Sequence, residues 1–185
     1  MTARRGQAAR QRIIDATREV LLDTGLGGFT VEAVAAASGA ARTTIYRHWP
    51  DPHDLVVDTL TSMAGEFPIP DTGSLLGDLE ACAHLLRPIF DDPRTRRLLL
   101  DVARAATEDP EMERIRNRTL EARRQPVQVM LQRAIHRGEI DPDIDMTMAM
   151  HLVEGPMLSA TVLQNLTLTD DTISAMAHRI VKALA

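Results

Sequence analysis

Apolar residues recur along most of this chain at intervals of three and four, and strict alternation with polar residues is absent. The pattern predicts helices almost throughout and no hairpin-forming strands. Ile13, Ile14, Val20 and Leu21 form the stripe of a first helix over residues 6–24, stopped before Gly25. LGGF reads as a loop, and Thr30 as the N-cap of a helix VEAVAAAS, with Glu32 favourable in its first turn and Gly39 as a left-handed C′ residue. A short helix follows over about residues 41–48 and ends at Pro50. Asp51 caps a fourth helix, with Pro52 at its first position and Leu55, Val56, Leu60, Met63 and Phe67 along one side.

The stretch FPIPDTGS, residues 67–74, is the clearest break in the pattern. Beyond it, helices are expected at about 74–91, 94–107, 111–137 (kinked or split at Pro126), 143–166 and 169–184, about nine in all. The last is strongly amphipathic through Ile173, Met176, Ala177, Ile180, Val181 and Leu184. The one before it carries two stripes. Ala149, Leu152, Val153, Pro156 and Ala160 make one, while Met146, Met150, Met157 and Leu163 extend round to another. A helix apolar on two sides is buried on two sides, either in a crowded core or between its own core and a second subunit. The fold class is therefore all-α, with a small N-terminal domain over residues 1–50 and a larger helical domain over 51–185.

Charge changes this picture more than composition does. The net charge of −5 argues against a nucleic-acid binder when read globally. Yet seven arginines and four acids give residues 1–50 a charge of +3, while 14 bases and 22 acids give the remainder −8. That asymmetry suits a nucleic-acid-facing head on an acidic body. The only cysteine, Cys82, excludes an internal disulfide and fits a reducing compartment. The N-terminus lacks the apolar core of a signal peptide and no run of about 18 apolar residues occurs, so a cytoplasmic protein without a membrane span is expected.

Residues 30–48 read as helix, Gly-containing turn and short helix, the order in which a second helix enters the major groove of DNA. Ile45, with Val34 and Ala35, supplies the inner side. Arg42, Thr43, Arg47 and Thr44 are left outside, types able to read guanine edges, hydroxyl partners or the thymine methyl. Both large polar-tipped rings of the chain, Tyr46 and Trp49, fall here. Tyr46 and His48 sit at the shoulder, with tips that can reach phosphates. Trp49 is expected to pack on the fourth helix and lock the reading helix, its indole N–H a further candidate donor. Thr30, at a helix start, is a phosphate candidate, and Arg4, Arg5, Arg10 and Arg12 form an electrostatic arm.

The stretch RIIDATREVLLDTGLGGFTVEAVAAASGAARTTIYRHWPDPHDLV closely resembles the N-terminal domain of the TetR family of bacterial transcriptional regulators, over about 45 residues. The likeness includes the register of Thr30, Val34-Ala35, Gly39, Thr44-Ile45-Tyr46 and Trp49. It implies base contacts near Arg42 and Thr43 and phosphate contacts at Thr44, Tyr46 and His48. Two residues depart from the family pattern. Pro52 stands where the family usually places a phosphate-gripping Lys, and Ala41 where a Ser or Thr often opens the reading helix. The resemblance also implies a homodimer and, commonly, a small-molecule effector in the C-terminal domain. RRQPVQVMLQRAIHRGEIDPDIDMTMAMHLVEGPM looks like one C-terminal subtype of the family.

The implied function is a DNA-binding regulator, a repressor released from a pseudo-palindromic double-stranded operator by a small apolar effector. Thioethers adapt to varied apolar ligands, so Met63, Phe67, Phe90, Met112, Met130, Met150 and Met157 are the effector-pocket candidates, with plain core filling as the alternative. Leu152, Pro156, Ala160, Leu163, Ile173, Met176 and Ile180 are the dimer-interface candidates. No cofactor, metal or catalytic motif is expected. Asp141, Asp143 and Asp145 mimic the start of a calcium loop, but Met146 and Leu152 occupy the positions that need Gly and Glu. Three alternatives stay open: an effector-independent dimeric regulator, a helical enzyme using His151 and Glu154, and a protein-interaction module built on the acidic body.

Overall fold

A computed structural model describes the backbone of residues 2–65 and 68–185 and the side chains of residues 6–63 and 68–185. The described residues form helices α1 (Thr2–Thr24), α2 (Val31–Ser38), α3 (Arg42–His48), α4 (Pro52–Gly65), α5 (Leu75–Asp91), α6 (Pro93–Ala105), α7 (Pro110–His136), α8 (Met146–Leu158) and α9 (Asp170–Leu184), with no strand among them. The expected loop LGGF holds a 3₁₀ turn, Leu26–Gly28. The chain divides into two compact units, residues 1–66 with 97–122, and residues 67–96 with 123–185.

In the first unit, Ile13, Ile14, Val31, Val34, Ile45, Trp49 and Leu55 gather the first four helices round one apolar cluster. A second cluster joins Leu21, Leu22, Val56, Val57 and Leu60 to Leu98, Val102, Ala106, Met112 and Ile115. The end of α1 is finished by a side chain from α6. Arg97 Nη2 donates to the carbonyls of Leu22 (2.7 Å) and Asp23 (2.9 Å), two acceptors that a helix end leaves open. Gly25 is required here by its φ of +70°; the atom nearest to where a Cβ would stand, Asp101 Oδ2 at 2.6 Å, is a side-chain end that can swing aside.

In the second unit the core is Leu75, Leu79, Val127, Met130, Leu131, Ala134, Ile140, Ala149, Ala177 and Leu184. A polar clasp holds the start of α5. Asp78, fully buried, accepts from Thr72 N (2.6 Å), Thr72 Oγ1 (2.8 Å) and Arg137 Nη2 (3.3 Å). Arg137 Nε also donates to Glu139, whose second oxygen accepts from Leu75 N at 2.6 Å. Burial works to raise the Glu139 pKa, but the Leu75 N–H and the Arg137 guanidinium together hold it below the usual carboxylate range. Replacing Asp78 with Ala removes the carboxylate acceptor of the Thr72 N–H and hydroxyl and one of the partners of Arg137, which keeps Glu139, and should destabilise the protein by about 2–4 kcal/mol, read from urea unfolding.

Three sequence expectations need correction. The helix expected at 143–166 begins at Met146, because Asp145, two residues later than the expected start, caps Thr147 N (2.9 Å) and Met148 N (3.1 Å). It also ends as a π-helical turn, Ser159–Leu163. Pro156 has no N–H to give, and the Ser159 N–H is shared between the carbonyls of Gly155 and Pro156. The widened turn closes with Gln164 N to Ser159 O at 3.0 Å. Pro126 does not split α7, which continues unbroken through it. The two stripes of α8 also divide differently. Met146, Ala149, Met150 and Val153 face the core, while Met148 and Leu152 are exposed.

Candidate nucleic-acid interface

The reading unit is set by its turns. Thr30 Oγ1 accepts from Ala33 N at 3.1 Å to start α2, and Gly39, at φ +66°, ends it in the left-handed conformation. Ala41 opens α3 without a side-chain cap. Ile45 is the inward anchor of this short helix. Around it Arg42, Thr43, Tyr46 and Arg47 are exposed and Thr44 is half-buried. The residues expected to meet bases thus share the outer face of α3. Arg47 has no ion pair among the described residues. Arg42 Nη1 donates to Glu32 Oε1 at 2.7 Å across the turn, and that hydrogen bond lowers the Glu32 pKa. Thr30 is exposed at the start of α2, its hydroxyl proton uncommitted by the cap it accepts. His48 is half-buried, its ring 5.6 Å from that of Trp49, and its Nε2 is enclosed without a partner among the described residues.

The far end of α3 is held by a contact that the sequence did not reveal. Trp49 is buried, and its Nε1 donates to Asp58 Oδ2 on α4 at 2.7 Å. The same oxygen accepts from Arg10 Nη2 at 2.5 Å, and the Arg10 guanidinium lies 5.2 Å from the Trp49 ring centroid. One carboxylate therefore ties α1, the end of α3 and α4 together. This corrects two expectations. The indole N–H is spent inside the protein, and Arg10 is a structural residue and no part of a loose basic arm. The side chains of Arg4 and Arg5 lie outside the described residues, while Arg12 is exposed. A signal for Asp58 was present: it sits three residues after Leu55, an acid beside the apolar stripe of α4 that must find donors.

The other predicted residues are spread over both units. Met63 and Met112 belong to the cluster around Leu21 in the first, and Met130 and Met150 to the core of the second. Phe90 and Met157 belong to none of the three clusters, and Phe67 lies outside the described residues. Of the interface candidates, Leu152, Pro156 and Leu163 are exposed, Leu163 by 72%. Ala160, Met176 and Ile180 are half-buried, and Ile173 is buried within its own unit. Asp141 accepts from Asp143 N (2.9 Å), so the acidic loop serves turns and a helix cap. No group of three potential metal ligands occurs among the described residues. None of the helices in these residues is long and apolar enough to cross a membrane.

Comparison with known proteins agrees with this architecture. Residues 13–58 match the family profile described as bacterial regulatory proteins, tetR family, and residues 69–180 that of the tetracyclin repressor-like C-terminal domain. A DNA-binding transcriptional repressor TetR of Mycobacteroides abscessus is 31% identical over 159 residues, covering 84% of this chain and 82% of that protein. The HTH-type transcriptional regulator AqdR of Rhodococcus erythropolis is 31% identical over 142 residues, 76% of this chain and 68% of its own. The crystal structure of the TetR family transcription regulator SCO0332 superposes with a TM-score of 0.78 at 24% identity, covering 96% of this chain and 98% of that one. A helix-turn-helix that matches the family's N-terminal profile, followed by a helical domain that matches its C-terminal one, makes this chain a transcriptional regulator of the TetR family.

Proposed function

We propose that the protein is a homodimeric repressor that binds a pseudo-palindromic operator through residues 1–50 and is released from it by a small molecule bound within residues 51–185. The observation that carries the reading is the outer face of α3. Arg42, Thr43, Tyr46 and Arg47 point away from the core on a helix anchored at its middle by Ile45 and at its C-terminal end by Trp49 on Asp58. Arg42 and Thr43 read bases, and Thr30, Thr44, Tyr46 and His48 grip phosphates, His48 through the nitrogen other than the enclosed Nε2. Pro52 withholds one phosphate contact. Two such helices one duplex turn apart, roughly 34 Å or a multiple, require a two-fold symmetric site.

The dimer contact is assigned to the exposed apolar side chains of α8 and its π-turn. Leu152 and Leu163 are exposed there, as are Met148 (56%) near the start of α8 and Leu166 (51%) just past the π-turn, large apolar side chains that a partner subunit would cover. The protein works in the cytoplasm, uses no cofactor and catalyses no reaction. The packing of Met112 and Met130 within apolar clusters, with Met63 and Met150 against them, favours a second reading, a body that dimerises without an effector.

Selection of bound duplexes from a random pool, at one stated salt concentration, tests the function. The expected product is a pseudo-palindrome, retained by the protein as a dimer in sedimentation. Leu163→Glu should shift the protein towards monomer and lose that site while leaving the helix content unchanged. Recovery of no preferred sequence, or of an asymmetric site bound by one chain, would refute the reading.

A further inference from the structure

One helix crossing in the second unit is not finished as the rest of the core is. Phe90, near the end of α5, is buried yet belongs to none of the three apolar clusters. What lies over its ring is a cation, with the Arg123 guanidinium carbon 5.6 Å from the ring centroid. Arg123 is half-buried in the middle of α7, and among the described residues no hydrogen bond or ion pair reaches it. Loss of water at this place disfavours its charge, and Glu154 of α8 compensates only through space. The next residues in the chain carry the same mark. Asp91 Oδ1 and Arg124 Nε are buried with no partner among the described residues. Unpaired buried polar groups are rare in a finished fold and point to a missing partner.

We propose that Arg123 binds the carboxylate of an effector whose apolar part lies against Phe90. This deepens the effector reading given above and rests on it. A guanidinium offers a planar fork that fits a carboxylate with two parallel hydrogen bonds. A phenyl ring beneath that fork holds it in place and presents an apolar surface to the remainder of the ligand. The charge is limited to one. Glu154 already lies within electrostatic reach of Arg123, so a dianionic phosphate would face more repulsion than a monocarboxylate does. Met157, one turn beyond Glu154 on α8, is half-buried and outside the clusters, a flexible apolar side chain available to the ligand body. Of the residues expected to line an effector pocket, Phe90 and Met157 are the two that this placement uses.

The test uses the full-length protein and its selected operator. Octanoate, dodecanoate and 1-naphthoate are each compared with the matching alcohol at one ionic strength, by calorimetric binding and by operator release in fluorescence anisotropy. At least one acid should bind about tenfold or more tightly than its alcohol and release the operator. Arg123→Gln should lose that advantage while binding the alcohol, and the operator without ligand, as the parent protein does. If R123Q does not fold, R123K is measured, and it must also lose affinity for the acid, since it keeps the charge but not the fork. An alcohol that binds and releases DNA as well as its acid overturns the carboxylate assignment and leaves an effector site standing. Undiminished binding of the acid by R123Q overturns the role of Arg123. No binding of any acid or alcohol, with the operator held throughout, overturns the proposal together with the effector reading.

Discussion

Replacing Arg42 and Tyr46 together by alanine should weaken binding to the selected operator by about 100-fold or more and leave the dimer intact. A guanidinium on a base edge contributes about 1–3 kcal/mol, and a phosphate contact somewhat less, on residues that do not share a partner. The change is nearly free of structural cost. Tyr46 is 45% exposed, and Arg42 is anchored only to Glu32, in a pair open to water on both sides. Exposed pairs of this kind are worth little, so Glu32 would not hold Arg42 back from the base contact proposed for it. Anisotropy titrations on the selected site and on bulk competitor DNA, at one salt concentration, separate the two components. The specific site should lose far more than the competitor, since the proposed role of Arg42 is to read a base edge and that of the remaining arginines is to supply attraction. Equal affinities before and after the double substitution would remove α3 from the interface altogether.

Asp58→Ala should have the second large effect, and it acts without touching DNA. The carboxylate receives both the Trp49 indole N–H and the Arg10 guanidinium. Its removal leaves the indole N–H of a buried side chain unpaired and frees the cation stacked beside it. Hydrogen bonds to a charged acceptor are worth about 1.5–3 kcal/mol each. Discounting the half-exposed Arg10 pair for solvent screening leaves a net loss of about 2–3 kcal/mol. The readout is built in, because Trp49 is the only tryptophan of the chain. Its emission should shift to the red, the urea midpoint should fall, and operator affinity should fall with them as the end of α3 loosens. Asp58→Asn keeps an acceptor for the indole but no charge for Arg10, so it should lie between the two. An unmoved emission spectrum with unmoved stability would show that the contact does not hold the reading helix.

The head was legible because its signals are local. Thr30, Gly39, Pro50 and Asp51-Pro52 each determine a helix end through a backbone requirement, and the structure places α2, α3 and α4 between them. Ile45 could be assigned inward from spacing alone. Pairing between helices was not legible. Glu32 with Arg42, and Asp58 with Trp49 and Arg10, join residues 9 to 48 positions apart, and nothing in the periodicity selects one charged partner over another. The start of α8 was misplaced for a related reason. Asp141, Asp143 and Asp145 are equally good caps by residue type, and only the packing of Met146, Ala149 and Met150 decides between them. The π-turn needed knowledge of where the Ser159 N–H would go once Pro156 had interrupted the ladder. Burial of the methionines followed from how each unit fills its own interior, which residue type alone does not specify.

The uncovered side chains around the π-turn also bear on how the regulator is made. On the proposed dimer, each chain leaves the ribosome alone and carries Met148, Leu152, Leu163 and Leu166 exposed until its twin covers them. Exposed apolar side chains adhere to any apolar surface, including another nascent chain joined in the wrong way. Pairing soon after synthesis then guards against aggregation, and dilution erodes folding and assembly together. On that reading, a regulator of this build is best produced close to its twin, from a single message translated by neighbouring ribosomes.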